Sequence, residues 1–133
     1  MPLEVVKYLV ENGANIHEYD DCALIGASLN DHLEVVKYLV ENGANIHGDN
    51  DCALRLTCEY GHLEVVKYLV ENGANIHMNN DWLLSLVYDG GYLEIFKYLI
   101  EKRLDVYIDY DYLLASSNNR VELEKYIKSL KLN

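Results

Sequence analysis

The sequence has 133 residues, half of them apolar, with 22 acidic against 11 basic side chains and a net charge of −11. That much apolar material is ample for a core and lies outside the disordered range. The acid excess argues against nucleic acid and anionic membranes as partners, because both are held by basic patches. Its apolar runs are too short to cross a bilayer, and the opening MPLEVVKYLV, with an early acid and no basic segment, does not read as a secretory signal. Cys22, Cys52 and Cys58 form no CxxC pair. They read as small, mostly buried thiols of a reducing compartment, which points to an intracellular, cytoplasmic setting.

In chain order, the first element is the string LEVVKYLVENGANIH at 3–17, which returns without a change at 33–47 and 63–77. A degraded copy, LEIFKYLIEKRLDVY, follows at 93–107. The spacing is 30 residues each time. A fixed period of this size marks a solenoid in which one supersecondary unit stacks on copies of itself. In 33–42 the apolar residues Leu33, Val36, Leu39 and Val40, widened by Val35, form the stripe of an amphipathic helix. Glu34, Lys37 and Glu41 lie opposite at pairing distances. Asp31 and Glu34 have capping-box spacing, and Asn42-Gly43 supplies a C-cap, with Ile46 placed to fold back on it.

Between the copies lie DCALIGASLND (21–31), DCALRLTCEYG (51–61), DWLLSLVYDGG (81–91) and DYLLASSNNRV (111–121). The leading Asp suits an N-cap. Small residues (Ala23, Ala27, Ala53, Ser117) and Leu24, Leu54, Leu84 and Leu114 predict a short helix packed close between longer ones. Each unit is therefore a short helix, a tight turn, a long helix and an acidic connector. The predicted organisation is one domain over 1–133: a half repeat at 1–17, full repeats at 18–47, 48–77 and 78–107, and a C-terminal capping repeat at 108–133. Pro2 is expected at the first helical position. Residues 3–17 lack a preceding short helix, so their apolar flank is expected to stand open. At the other end Leu123, Tyr126, Ile127 and Leu130 keep a helical stripe against Glu124, Lys125, Lys128 and Lys131, the pattern of a terminal cap.

These residues resemble the ankyrin repeat. GHLEVVKYLVENGANIH at 61–77 reproduces the second half of the family pattern x-T-P-L-H-x-A-A-x-x-G-H-L-E-V-V-K-L-L-L-E-x-G-A-D-V-N almost letter for letter. The verbatim copies and the GANIH wording are similar to the multi-ankyrin families of giant amoeba-infecting viruses. The resemblance implies an all-α solenoid of helix-turn-helix units that binds proteins and is not an enzyme. Three departures matter. The period falls short of the family's usual value of about 33, so each connector is expected to be a shortened turn in place of a full β-hairpin finger. The T-P-L-H tetrapeptide is replaced by Cys22-Ala23-Leu24-Ile25 and its counterparts, which removes the Thr and His that tie neighbouring turns, so packing is expected to compensate. Arg103 stands where Gly13, Gly43 and Gly73 do, at a cost on the order of 1 kcal/mol if that residue is left-handed.

His17, His47 and His77 recur at one register. Helix neighbours pack roughly 10 Å apart, whereas zinc–nitrogen bonds are about 2 Å, so these residues read as turn histidines bonding a neighbouring backbone group. His32 and His62 read as structural too. Tyr8, Tyr38, Tyr68 and Tyr98 form a second ladder, expected to stack between repeats. Neither a phosphate loop, a nucleophile elbow, a zinc spacing nor a catalytic Cys/His pairing is present, so no cofactor, metal or catalytic residue is assigned.

What the copies do not share is informative. The resemblance implies partner contacts at the connector tips and the exposed ends of the short helices. In this sequence those are Glu18, Tyr19, Asp20, Asp49, Asn50, Glu59, Tyr60, Met78, Asn79, Asp89, Asp109 and Tyr110. The connectors and the Asp that follows each hold eight acids and no Lys or Arg, with Tyr19, Tyr60, Trp82, Tyr88, Tyr110 and Tyr112 nearby. Acid plus aromatic on one face suits a basic peptide or protein. The alternative is a structural role in which the open face at 3–17 stacks on a second copy.

Overall fold

The computed structural model describes residues 2–77, 82–102, 111 and 121–131. They fall into two compact units, Met1–Asn75 and Ile76–Asn133. Every element of regular structure among the described residues is helical, as an all-α solenoid requires.

The first unit holds α1 (Leu3–Glu11), α2 (Glu18–Leu29), α3 (Leu33–Glu41), α4 (Gly48–Tyr60) and α5 (Leu63–Glu71). Two rows result. The inter-copy helices α2 and α4 lie side by side, and α1, α3 and α5 form the row behind them, with α2 against α3 and α4 against α5. The verbatim helix is built as its spacing predicts: Val35, Val36 and Leu39 are buried, and Lys37 Nζ sits 3.9 Å from Glu34 on the outer face. Such exposed pairs contribute a few tenths of a kcal/mol at most, on the order of the i,i+3 interaction in peptides.

The three verbatim helices end in the same way. Gly43, at φ +96°, is left-handed, its N–H donates to Val40, and Ala44 N–H reaches back to Leu39 at 2.9 Å. Asn42 Nδ2 adds a bond to the Tyr38 carbonyl at 2.8 Å. The pair of reversed backbone bonds is a Schellman cap, and the left-handed residue at its centre is why glycine stands there.

The turn from α2 to α3 differs from expectation. Asp31 forms no capping box: it is itself left-handed (φ 59°), closing α2 through Asp31 N–H to Ser28 and His32 N–H to Ala27. The residue before α3 is His32, without a side-chain cap bond. Gly61 (φ 80°) and Gly91 (φ 76°) occupy the same register. Asp is among the few side chains that tolerate this region, so the C-cap of one helix took the residue that local pattern assigned to the next. Pro2 likewise lies one position earlier than expected, as the N-cap of α1 in extended conformation.

The second unit contains α6 (Trp82–Gly90), α7 (Leu93–Lys102) and α8 (Val121–Lys131). Its core joins Leu83, Leu84 and Val87 of α6, Ile95, Phe96 and Leu99 of α7, and Leu123 and Ile127 of α8. Phe96 stands at the centre, 6.3 Å from the Tyr88 ring and edge-on to Tyr126 at 6.2 Å. The apolar stripe predicted for the last helix is the face that packs. Arg103 lies outside the described residues.

Candidate functional site

The connectors carry the feature that sequence reading missed. Tyr19, Asp20 and Asp21 are all left-handed, with φ/ψ near 54°/53°, 55°/47° and 62°/39°. Asp49, Asn50 and Asp51 repeat this conformation 30 residues later. Each of these two connectors is a single left-handed turn that runs directly into the right-handed helix from residue 22 or 52. A left-handed residue with a Cβ costs about 1 kcal/mol, so three in succession need compensation from outside the turn.

That compensation comes from one carboxylate per turn. Asp21 Oδ1 accepts the Asn45 N–H of the following repeat at 2.9 Å and lies 2.9 Å from His17 Nδ1. Asp51 accepts the Asn75 N–H at 3.0 Å and lies 3.0 Å from His47 Nδ1. Asn15 and Asn45 brace the approach, their Oδ1 atoms accepting the His17 and His47 N–H groups at 2.9 Å. Both aspartates are buried. Hydrogen bonds to an ionised acceptor are roughly twice as strong as neutral ones.

Several expectations change here. Asp21 and Asp51 are not N-caps; they staple one repeat to the next. His17 and His47 face the carboxylate four residues on rather than a backbone group. The tie between repeats, assigned to packing alone once Thr and His of the tetrapeptide were lost, is a hydrogen bond from a different residue. His62 adds a second tie, its Nε2–H donating across the junction to the Leu29 carbonyl at 2.7 Å. The histidine at i and aspartate at i+4, present as His17/Asp21, His47/Asp51 and His77/Asp81, was the available signal. The tyrosine ladder also differs: Tyr8, Tyr38 and Tyr68 make no ring pair among the described residues, and Lys7 Nζ lies 5.9 Å from the Tyr38 ring centroid instead.

With Asp21 and Asp51 withdrawn, the exposed surface of the connectors is Glu18, Tyr19, Asp20, Asp49 and Asn50, and the ends of the short helices add Glu59 and Tyr60. Tyr19 is 81% exposed and Tyr60 54%. The two turns abut, since a Cβ on Gly48 would come within 2.5 Å of the Asp20 carbonyl oxygen. The face is not free of base: Arg55, part of α4, folds back to donate to the Asp49 carbonyl at 3.1 Å, 3.9 Å from its carboxylate. In the second unit Asp89 is exposed on α6, whereas Tyr88 is fully buried against Phe96 and is not a surface aromatic. Met78, Asn79, Asp109, Tyr110 and Tyr112 lie outside the described residues.

Burial pushes the Cys58 thiol up to about 12, which keeps it protonated and unreactive. Among the described residues no group of three His, Cys, Asp or Glu side chains converges as a metal would need, and no helix is long and apolar enough to cross a membrane. A family model described as ankyrin repeats (3 copies) matches residues 2–50 and 46–110. A search of curated proteins finds no match. Repeat, helix pairing and family match agree: the chain belongs to the ankyrin-repeat family.

Proposed function

We propose that this chain is a non-enzymatic binding module that holds a basic peptide or protein patch on its connector face. Ankyrin repeats generally mediate protein–protein interaction. The observation that carries the finer reading is the pair of abutting left-handed turns, which hold Tyr19, Asp20, Asp49 and Asn50 in solvent while their structural aspartates point inward. Exposed acids steer a cationic partner, and a tyrosine, with two side-chain torsions to fix, supplies contact area at little entropic cost. Arg55 offsets part of the Asp49 charge, so Glu18 and Asp20 carry most of the attraction. The verbatim copies and the GANIH wording support a setting in a giant amoeba-infecting virus, with a host protein as partner.

The test is titration of the chain against Lys/Arg-rich, neutral and acidic peptides. The basic set is expected to bind, weakening with salt as exposed charge pairs do. Replacing Asp20 and Asp49 by Asn should lower affinity about tenfold at low salt and flatten the salt dependence, and Tyr19→Ala should cost about 1–2 kcal/mol. Equal binding of all three sets, or indifference to both substitutions, refutes the reading. Self-stacking through residues 3–17 is the second reading, favoured by the exposure of Val5, Tyr8 and Leu9. A strict monomer in sedimentation at high concentration excludes it.

A further inference from the structure

The three identical strings provide an internal control, because the same sequence meets different surroundings. Val5 is 44% exposed where Val35 is 7%, and Leu9 is 42% exposed where Leu39 is 1%. Ala14 and Ala23 are exposed, while their counterparts Ala44 and Ala53 are buried. Of these, Leu9, Ala14 and Ala23 line one cleft of about 360 Å³ between α1 and α2, together with residues that include Val10, Gly26 and Ala27.

The cleft also holds two donors whose counterparts are engaged. Asn45 and Asn75 each give their N–H to the aspartate 24 residues earlier, and His62 gives its ring N–H to the carbonyl of Leu29. Asn15 N–H and the His32 ring, the same groups one repeat back, line the cleft without a partner among the described residues. At the next junction along, the equivalent position is filled by α2, with Leu24, Ala27 and Ser28 buried, Asp21 at its leading turn and the Leu29 carbonyl at its end.

We propose that this cleft receives a short amphipathic helix from a partner chain. That helix carries an aspartate at its leading turn, leucine and small residues along its buried face, and a free carbonyl in its last turn. The carboxylate takes Asn15 N–H, the carbonyl takes the His32 ring N–H, and the apolar side chains cover Leu9 and Ala23. The two donors, one at each end of the slot, select a helix of this length and polarity over the flat face of a second folded copy. This surface is separate from the connector face, so either assignment can fail without the other.

The experiment titrates the full chain with a synthetic peptide of residues 18–31 carrying C22S, followed by amide and imidazole nitrogen shifts. Saturable shifts at Ala14, Asn15 and His32 are expected. D21A in the peptide should weaken binding at least about fivefold and abolish the Asn15 shift, since a charge-assisted bond is lost. Leu9→Asp in the chain should abolish binding and leave basic-peptide binding intact. Because so short a peptide is only marginally helical alone, a second measurement tethers it ahead of the chain through a Gly/Ser linker, which holds it at millimolar effective concentration. The tethered helix should raise the melting temperature, and Leu9→Asp should cancel the gain. The proposal is overturned by absence of both shifts and thermal gain, or by binding indifferent to D21A. It is equally overturned by a chain dimer that Leu9→Asp dissociates, which would make a second copy the occupant.

Discussion

Asp51 has two tasks in one side chain. It sits in the left-handed region at φ 57°, which few residues tolerate, and its carboxylate accepts both the Asn75 N–H and a hydrogen bond within its own turn. The two tasks respond differently to substitution. Asp51→Ala loses the acceptor and places a methyl side chain where the backbone resists one, so a loss of about 2–4 kcal/mol is expected. Asp51→Asn keeps a carbonyl acceptor and tolerance of the left-handed region, and should cost about 1 kcal/mol. Denaturant unfolding measures both, with faster exchange of the Asn75 amide as a local readout in the alanine variant. An alanine variant as stable as the native chain would show that the staple has no role in stability.

Among elements, the helices were legible and the connections were not. The 3.6-residue stripe of LEVVKYLVE is a local signal repeated verbatim, and Gly43 sits where only a left-handed cap fits. Tyr19-Asp20-Asp21 contains no glycine and announces nothing locally, because the turn is held from outside, by an N–H that lies 24 residues downstream. The capping box at Asp31 failed for a related reason: a helix C-terminus and a helix N-terminus competed for one residue, and glycine at 61 and 91 showed which would win. Of the surface residues, Tyr19 and Asp20 were found from variation between copies, but the acids were counted together although the stapling Asp recurs in every copy, and nothing local showed Arg55 leaning on Asp49. Gly48 shows how tightly the connections fit. A methyl group there would strike the Asp20 carbonyl oxygen of the adjoining turn, so Gly48→Ala is expected to destabilise by about 1–3 kcal/mol, the usual cost of overpacking. Calorimetry checks this, and a neutral result would mean that the two turns are free to separate.

At the scale of the molecule, identical sequence does not mean identical energy. Leu9 and Leu39 occupy the same place in the same fifteen-residue string, yet one faces an open cleft and the other a closed junction. Leu39→Ala should cost about 3 kcal/mol through lost burial and the cavity left behind. Leu9→Ala should cost under about 1 kcal/mol, since much of that side chain is already in water. Equal costs from parallel thermal melts would contradict the open cleft. The acid excess is divided as unevenly as the apolar surface: Asp21 and Asp51 are buried in the stack while Asp20 and Asp49 stand in solvent, so net charge alone misjudges the charge on the face.

The stapling bond also has a direction. Asp21 and Asp51 each take a backbone N–H that lies 24 residues further along the chain. On a ribosome, where the chain emerges from its N-terminus, the acceptor Asp21 is made before the donor Asn45, and Asp51 before Asn75. In these two repeats, then, the anchor is already in the chain when the segment it will hold is still to be made.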